Sequence, residues 1–74
     1  VRFLMNHALL DWTLCRSFLA VLRTGSLSEA ARRLGVTHPT IRRHVEQFEA
    51  GLRAPLFVRS PAGLAPTSLA LTLR

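Results

Sequence analysis

The sequence predicts a mainly α-helical domain: three short helices closed by a small two-stranded hairpin, with one more helix beginning at the C-terminal end. Three observations predict it. Apolar residues recur at three- and four-residue spacing over Leu14 to Leu22 and again over Ile41 to Leu52. Gly25 and Gly35 stand where a left-handed residue terminates a helix. After Pro55 the apolar spacing changes to alternation, and Ser60-Pro61-Ala62-Gly63 has the chemistry of a type I turn, with serine first, proline second and glycine fourth.

Taken in order, Asp11 is placed to cap a first helix, roughly residues 11 to 24, with Leu14, Cys15, Phe18, Leu19 and Leu22 facing inward. Ser26-Leu27-Ser28-Glu29 fits a capping box, in which the serine oxygen accepts from the Glu29 N–H and the glutamate reaches back to the cap. The short helix after it has Leu27, Ala30, Ala31 and Leu34 as its apolar stripe, with alanines small enough for close helix approach, and Arg32 and Arg33 off that stripe. Thr37 is a good cap for the third helix. Pro39 then falls in its first turn, where a missing N–H costs no intrahelical bond.

Along that third helix Ile41, Val45, Phe48 and Leu52 lie four, three and four residues apart and share one buried face. Pro39, Arg43, Glu46 and Ala50 lie opposite, flanked by Arg42 and Gln47. Arg53-Ala54-Pro55 ends the helix. Leu56-Phe57-Val58-Arg59 alternates as a strand, and Leu64-Ala65-Pro66 returns as a short edge strand that tolerates its proline. Thr67 is placed to cap a last helix beginning Ser68-Leu69-Ala70-Leu71 and cut at Arg74, too short to be stable without packing against something. The expected core is Trp12, Leu14, Phe18, Leu19, Leu22, Leu27, Leu34, Ile41, Val45, Phe48, Leu52, Leu56 and Phe57.

Composition narrows the chemistry. A chain of 74 residues is one small domain that buries about 60% of its unfolded surface, with no room for a deep substrate cleft. Ten arginines and no lysine against Asp11, Glu29, Glu46 and Glu49 give a formal charge of +6, which suits a polyanionic partner such as nucleic acid or an anionic membrane surface. The same charge would also serve merely to keep the domain in solution. Cys15 is single and falls in an apolar helical pattern, so it reads as a core residue, and with His7, His38 and His44 it lacks the paired spacing of a zinc site. His44-Val45-Glu46 matches half of a zinc-deaminase signature whose paired cysteines are absent. No serine, histidine and aspartate set or carboxylate pair has supporting motif context, so no enzyme activity, metal or cofactor is expected. Asn6, His7 and Asp11 interrupt the apolar run after Arg2 before it becomes a signal peptide, and no stretch approaches the roughly 18 apolar residues of a membrane span. A cytoplasmic, nucleoid-associated location is the expectation.

A short helix, a turn through Gly35, and a helix whose exposed face starts at its N-terminus make a helix-turn-helix, and the hairpin after it makes a wing. In such a pair the second helix, here about 38–52, enters the major groove and its first residues meet base edges. Arg43 lies furthest from the buried edge and is suited to a bidentate pair with guanine O6 and N7; its plainer role is a solvated arginine paired with Glu46 or Gln47. Arg42 has three roles open: reading a base, holding a phosphate, or being neutralised by Glu46 one turn along, the last two together favoured over the first. Glu46 is able to accept from cytosine N4, but an acidic group near phosphates is costly, so it fits best as the residue that orients Arg42. His38 at the helix N-terminus has a base, a phosphate or solvent as its partner. Thr37 and Thr40 are within reach of phosphate oxygens, Thr37 being already explained as a cap. Arg32 and Arg33 read as a solvated face, with a backbone contact by one of them left open.

The run Phe18 to Thr67, FLAVLRTGSLSEAARRLGVTHPTIRRHVEQFEAGLRAPLFVRSPAGLAPT, resembles the N-terminal winged helix-turn-helix of LysR-type transcriptional regulators over about two-thirds of the chain. The matching features are Gly25-Ser26, Ala30-Ala31 and Leu34, the Pro39 that opens the recognition helix, Phe48-Glu49, Leu56-Phe57 with Arg59, and Gly63 with Thr67. The resemblance implies sequence-specific binding of double-stranded DNA, with His38, Pro39, Arg42 and Arg43 at base-reading positions and Arg59 as the wing contact; Thr37, Thr40 and Gln47 complete the candidate set. It implies a bacterial regulator, a homodimer through the helix that begins at Thr67, and a small-molecule effector bound only by a C-terminal domain beyond this chain. The chain then divides into an N-terminal extension, 1–10, the winged domain, 11–66, and the start of a linker or dimerisation helix, 67–74, with Leu69, Leu71 and Leu73 either on the dimer seam or packed on the first helix.

This chain departs from the family pattern at several positions. His38 replaces a common glutamine, Arg42 a serine or threonine, and Glu46 a basic residue, so the half-site should differ from common ones. Ala62 at the wing tip replaces a frequent arginine, which weakens the expected grip there, and Gly51-Leu52-Arg53 inverts the usual Leu-Gly order at the helix end. The competing reading is a winged-helix protein-interaction module that does not bind DNA, with the apolar C-terminal residues as its contact.

Overall fold

The computed structural model describes residues 12–73; the expected Asp11 cap, the N-terminal extension and Arg74 lie outside them. The elements run α1 (Trp12–Thr24), α2 (Leu27–Leu34), α3 (His38–Leu52), β1 (Phe57–Ser60), β2 (Gly63–Pro66) and α4 (Ser68–Leu73). The helix ends obey local chemistry. Gly25 takes φ 71° and sends its N–H to the Val21 carbonyl at 2.8 Å. Gly35 is left-handed at φ 70°, with the Val36 and Gly35 N–H groups on the Ala31 and Arg32 carbonyls, a Schellman closure. Ser26 and Thr37 cap α2 and α3 through their side-chain oxygens, which accept from Glu29 N–H at 3.2 Å and Thr40 N–H at 3.3 Å.

One half of the expected capping box does not form. The Glu29 carboxylate engages the guanidinium groups of Arg32 and Arg33 instead of reaching back, and the Ser26 N–H goes to Thr24 Oγ1 at 3.3 Å. Two charged donors one turn along the same face outcompete a neutral amide. They also hold the Glu29 carboxyl below its ordinary value, the Arg32 hydrogen bond being the main cause.

The core is built as two adjoining clusters. Leu14, Phe18, Phe48, Leu56 and Ala70 form one, and Val21, Ala30, Ala31, Ile41 and Val45 form the other. Phe18 ties the first cluster to the wing, its ring 5.5 Å from that of Phe48 and 5.8 Å from that of Phe57, and Phe57 packs against both clusters. Leu19, Leu22, Leu27, Leu34, Leu52 and Phe57 pack half-buried around this centre. Trp12, expected in the core, is 73% exposed. Two residues before Leu14, it points about 200° away from that buried side chain. Val21, absent from the expected core, is fully buried.

The first strand lies one residue later than expected, and the second starts one residue earlier, at Gly63, with its end at Pro66 as expected. β1 starts at Phe57 because the Leu56 N–H is taken by Glu49 Oε2 at 2.7 Å and the Leu56 side chain is fully buried. Phe57 pairs with Pro66 and Ser60 with Gly63 in an antiparallel register. The hairpin lies against the turn before α2: Leu64 N–H donates to the Gly25 carbonyl at 3.2 Å. Thr67 caps α4 by accepting from Ala70 N–H at 3.3 Å and fastens it, its hydroxyl donating to the Pro55 carbonyl at 3.0 Å and its N–H to the Leu56 carbonyl at 2.9 Å. In α4 Ala70 is buried and Leu69 packs on the first cluster, whereas Leu71 and Leu73 remain exposed.

Two substitutions test this frame. Gly63 has φ 127°, and a Cβ there would stand 2.9 Å from the Gly25 carbonyl oxygen. Gly63→Ala should therefore lower the urea-unfolding free energy by about 1–3 kcal/mol. Arg53 closes α3 at φ 59°, a left-handed setting that costs a residue with Cβ about 1–2 kcal/mol. Arg53→Gly relieves that strain against about 0.5–1 kcal/mol of added unfolded-chain entropy, and the same titration should show a net gain of up to about 1.5 kcal/mol.

Candidate nucleic-acid interface

Because Ile41, Val45 and Phe48 are held in the core, the opposite side of α3 is turned outward. His38, Pro39, Arg42, Arg43, Glu46 and Gln47 are all exposed. The N-terminal turn is pre-formed by its cap: Thr37 Oγ1 accepts the Thr40 amide and donates to Thr40 Oγ1 at 2.9 Å. Pro39 sits in this first turn with a fixed φ. Both threonine hydroxyls thus serve the cap, and Thr40 is half-buried.

The wing brings Arg59 to the same side. With His38, Arg42, Gly25, Ser26, Ser28 and Gly63 it lines an open cleft of about 300 Å³ between the start of α2, the start of α3 and the hairpin. Of the candidate residues, His38, Arg42 and Arg59 therefore converge on one concavity. Arg43 and Gln47 stand outside it on the projecting face of α3, while Thr37, Pro39 and Thr40 form its N-terminal end. The charge is uneven. A smaller cleft of about 140 Å³ on the other side of Arg42 is lined by Glu46, Glu49, Phe57 and Leu64.

Ion pairing sorts the arginines. Arg42 Nε lies 3.7 Å from Glu46 Oε2, both side chains well exposed, so the pair is weak and readily exchanged for a stronger anion. Arg32 and Arg33 share Glu29. Among the described residues no ion pair involves Arg43 or Arg59. Of the two expectations for Glu46, pairing with Arg42 is the one observed, and the pairing of Arg43 with Glu46 is not.

Three features of the site go beyond the expectations from sequence. The cleft exists only because the hairpin folds back on Gly25, a tertiary contact with no local sequence signal. Glu49 Oε2 accepts the Leu56 N–H, so this carboxylate braces the loop into the wing. Ser17, 1% exposed, meets His44 Nδ1 at 2.8 Å across the α1–α3 interface; the hint is a serine and a histidine at core spacing with Leu14 and Ile41. Among the described residues no group of histidine, cysteine and carboxylate side chains is arranged to hold a metal ion. None of their helices is long and apolar enough to cross a membrane.

Comparison with known proteins agrees with this geometry. Residues 12–71 match the family described as bacterial regulatory helix-turn-helix protein, lysR family. The chain is 43% identical over 58 residues to a small neutral protease regulatory protein of Streptomyces coelicolor, covering 78% of this chain and 18% of that protein. It is 39% identical over 56 residues to the putative HTH-type transcriptional regulator PtxE of Stutzerimonas stutzeri, covering 76% of this chain and 29% of that one. The chain thus spans between about a fifth and a third of the length of these relatives. Among solved structures, a complex of the CbnR DNA-binding domain with DNA superposes with a TM-score of 0.76 at 33% identity, over 81% of this chain and 69% of that one. A LysR-family regulator from Eggerthella lenta superposes with a TM-score of 0.80 at 30% identity, over 85% and 90%. With the family model matched across both helices of the helix-turn-helix and the whole wing, this chain belongs to the LysR family of bacterial helix-turn-helix regulatory proteins.

Proposed function

We propose that this domain binds double-stranded DNA sequence-specifically as the DNA-binding part of a bacterial transcriptional regulator, with α3 in the major groove and the wing against the neighbouring backbone. The observation that carries this reading is the single basic surface formed by the outward face of α3, the cleft and Arg59. A solved DNA complex of a similar fold supports it.

In this reading Arg43 reaches guanine O6 and N7, since it projects furthest and has no competing carboxylate among the described residues. Arg42 starts from the Glu46 pair and turns toward a phosphate, with His38 and Arg59 completing the positive lining of the cleft. Pro39 and Gln47 face the same groove edge, and the Thr37 and Thr40 hydroxyls approach the backbone from the cap. The α4 helix carries exposed Leu71 and Leu73 and is the natural seam of a homodimer continuing beyond Thr67. The regulator acts in the cytoplasm on the nucleoid, and any small-molecule effector binds a further domain.

Fluorescence anisotropy with duplex DNA over a salt series tests the assignment. Binding should weaken steeply with salt, log K falling with a slope of about −0.9 for each phosphate engaged. Against a duplex selected for tight binding, Arg43→Ala should cost about 1–3 kcal/mol and relax discrimination at one base pair. Arg59→Ala should weaken binding to all duplexes alike and reduce the salt slope by about 1. Absence of binding at low salt, in a dimeric sample with helical circular dichroism intact, would overturn the reading.

A further inference from the structure

We propose that the part-buried Ser17–His44 hydrogen bond sets the rotation of the recognition helix about its own axis, making Ser17 and His44 positioning residues for sequence discrimination; this deepens the DNA-binding reading and rests on it. The surfaces of α1 and α3 that meet are otherwise apolar: Leu14, Phe18 and Val21 from one helix, Ile41, Val45 and Phe48 from the other. Contacts of that kind are non-directional and tolerate repacking. They hold α3 against α1 without choosing sharply among small rotations.

The polar pair supplies the choice. Ser17 lies three residues after Leu14 and four before Val21, on the buried stripe of α1, and is 1% exposed. His44 lies three residues after Ile41 and four before Phe48, on the edge of the buried stripe of α3. Their polar atoms are 2.8 Å apart, across 27 residues of sequence. A hydrogen bond at that length is directional, and turning α3 away would cost the Ser17 hydroxyl its partner on α3. The bond holds in either neutral tautomer of the imidazole: the hydroxyl donates to a bare Nδ1, or Nδ1–H donates to the serine oxygen.

Rotation matters at this point because the reading residues are neighbours of His44 on the helix. Arg43 is next to it in the chain, about 100° away on the wheel, and Gln47 is one turn further along. Pinning the ring to Ser17 pins the direction in which Arg43 leaves the helix. Phosphate contacts by long, flexible arginines survive a small rotation of α3, whereas bidentate pairing to a base edge does not. The predicted signature is a loss of discrimination without a loss of general DNA affinity.

The test compares Ser17→Ala, His44→Leu and His44→Asn with the unaltered chain. Asparagine places an amide close to where Nδ1 stood and so keeps a partner for Ser17. The probes are a duplex selected on the unaltered chain and a scrambled duplex of the same composition. Ser17→Ala and His44→Leu should reduce the ratio of the two affinities by about 3- to 10-fold, with scrambled-duplex affinity unchanged, and His44→Asn should preserve the ratio. In the imidazole nitrogen spectrum the His44 Nδ1 resonance should move on Ser17→Ala.

An unchanged ratio once that resonance has moved, an equal loss on both duplexes, or His44→Asn behaving as His44→Leu would each overturn the proposal. If Ser17→Ala does not fold, the two His44 variants decide. If the unaltered chain binds neither duplex, the DNA-binding reading itself has failed. Residual dipolar couplings of α1 and α3 in the free chain then judge the helix setting alone: couplings that change with Ser17→Ala support it, and unchanged couplings overturn it.

Discussion

The carbonyl of Gly25 is the point at which the two halves of this domain are joined. It accepts the Leu64 N–H and tolerates the backbone of Gly63 so closely that a single added carbon would stand 2.9 Å away. The same residue ends α1 in a left-handed turn, so the termination of one helix and the anchoring of the hairpin are one event. The place of Arg59 in the cleft depends on it. Move the hairpin outward by the width of a methyl group and Arg59 no longer shares a concavity with His38 and Arg42.

Much of this is legible in the residues, and the parts that are not have a common cause. Helix ends at Gly25, Gly35 and Thr37 arise from interactions within a few residues, and these are readable. The inward face of α3 is equally local, a consequence of spacing. Trp12 misleads because its hydrophobicity outweighs its direction in a reading by composition: two residues from Leu14, it points the wrong way. Glu29 misleads because the capping box and the Arg32–Arg33 pair compete for one carboxylate, and charge wins over a neutral amide. The cleft, the Glu49 brace and the Ser17–His44 bond join residues distant in sequence or across elements. No periodicity reports such pairings; at most it shows that a polar side chain has been put where an apolar one would do.

The arginines are sorted by their carboxylate neighbours as much as by their number. Glu29 pairs with both Arg32 and Arg33, which halves the positive charge on the solvent side of α2, whereas Arg43 on α3 and Arg59 on the wing make no ion pair among the described residues. Glu46 takes a looser hold of Arg42, at the ridge between a cleft that favours anions and one that bears two acidic residues. A +6 chain could bind polyanions indiscriminately. Local neutralisation gives the charge a direction, and a carboxylate beside the groove penalises any approach in which the backbone falls on the wrong side of Arg42.

Thr67 gives the fold one more property. Its amide and hydroxyl grip the Leu56 and Pro55 carbonyls, and the Leu56 amide is in turn held by Glu49 on the last turns of α3. The start of α4 is therefore geared to the recognition helix through three short, stiff links instead of hanging from a hinge. A body attached beyond α4 would act on α3 as a handle acts on a key. Twisting or clamping that handle would turn the reading surface with little lost to slack.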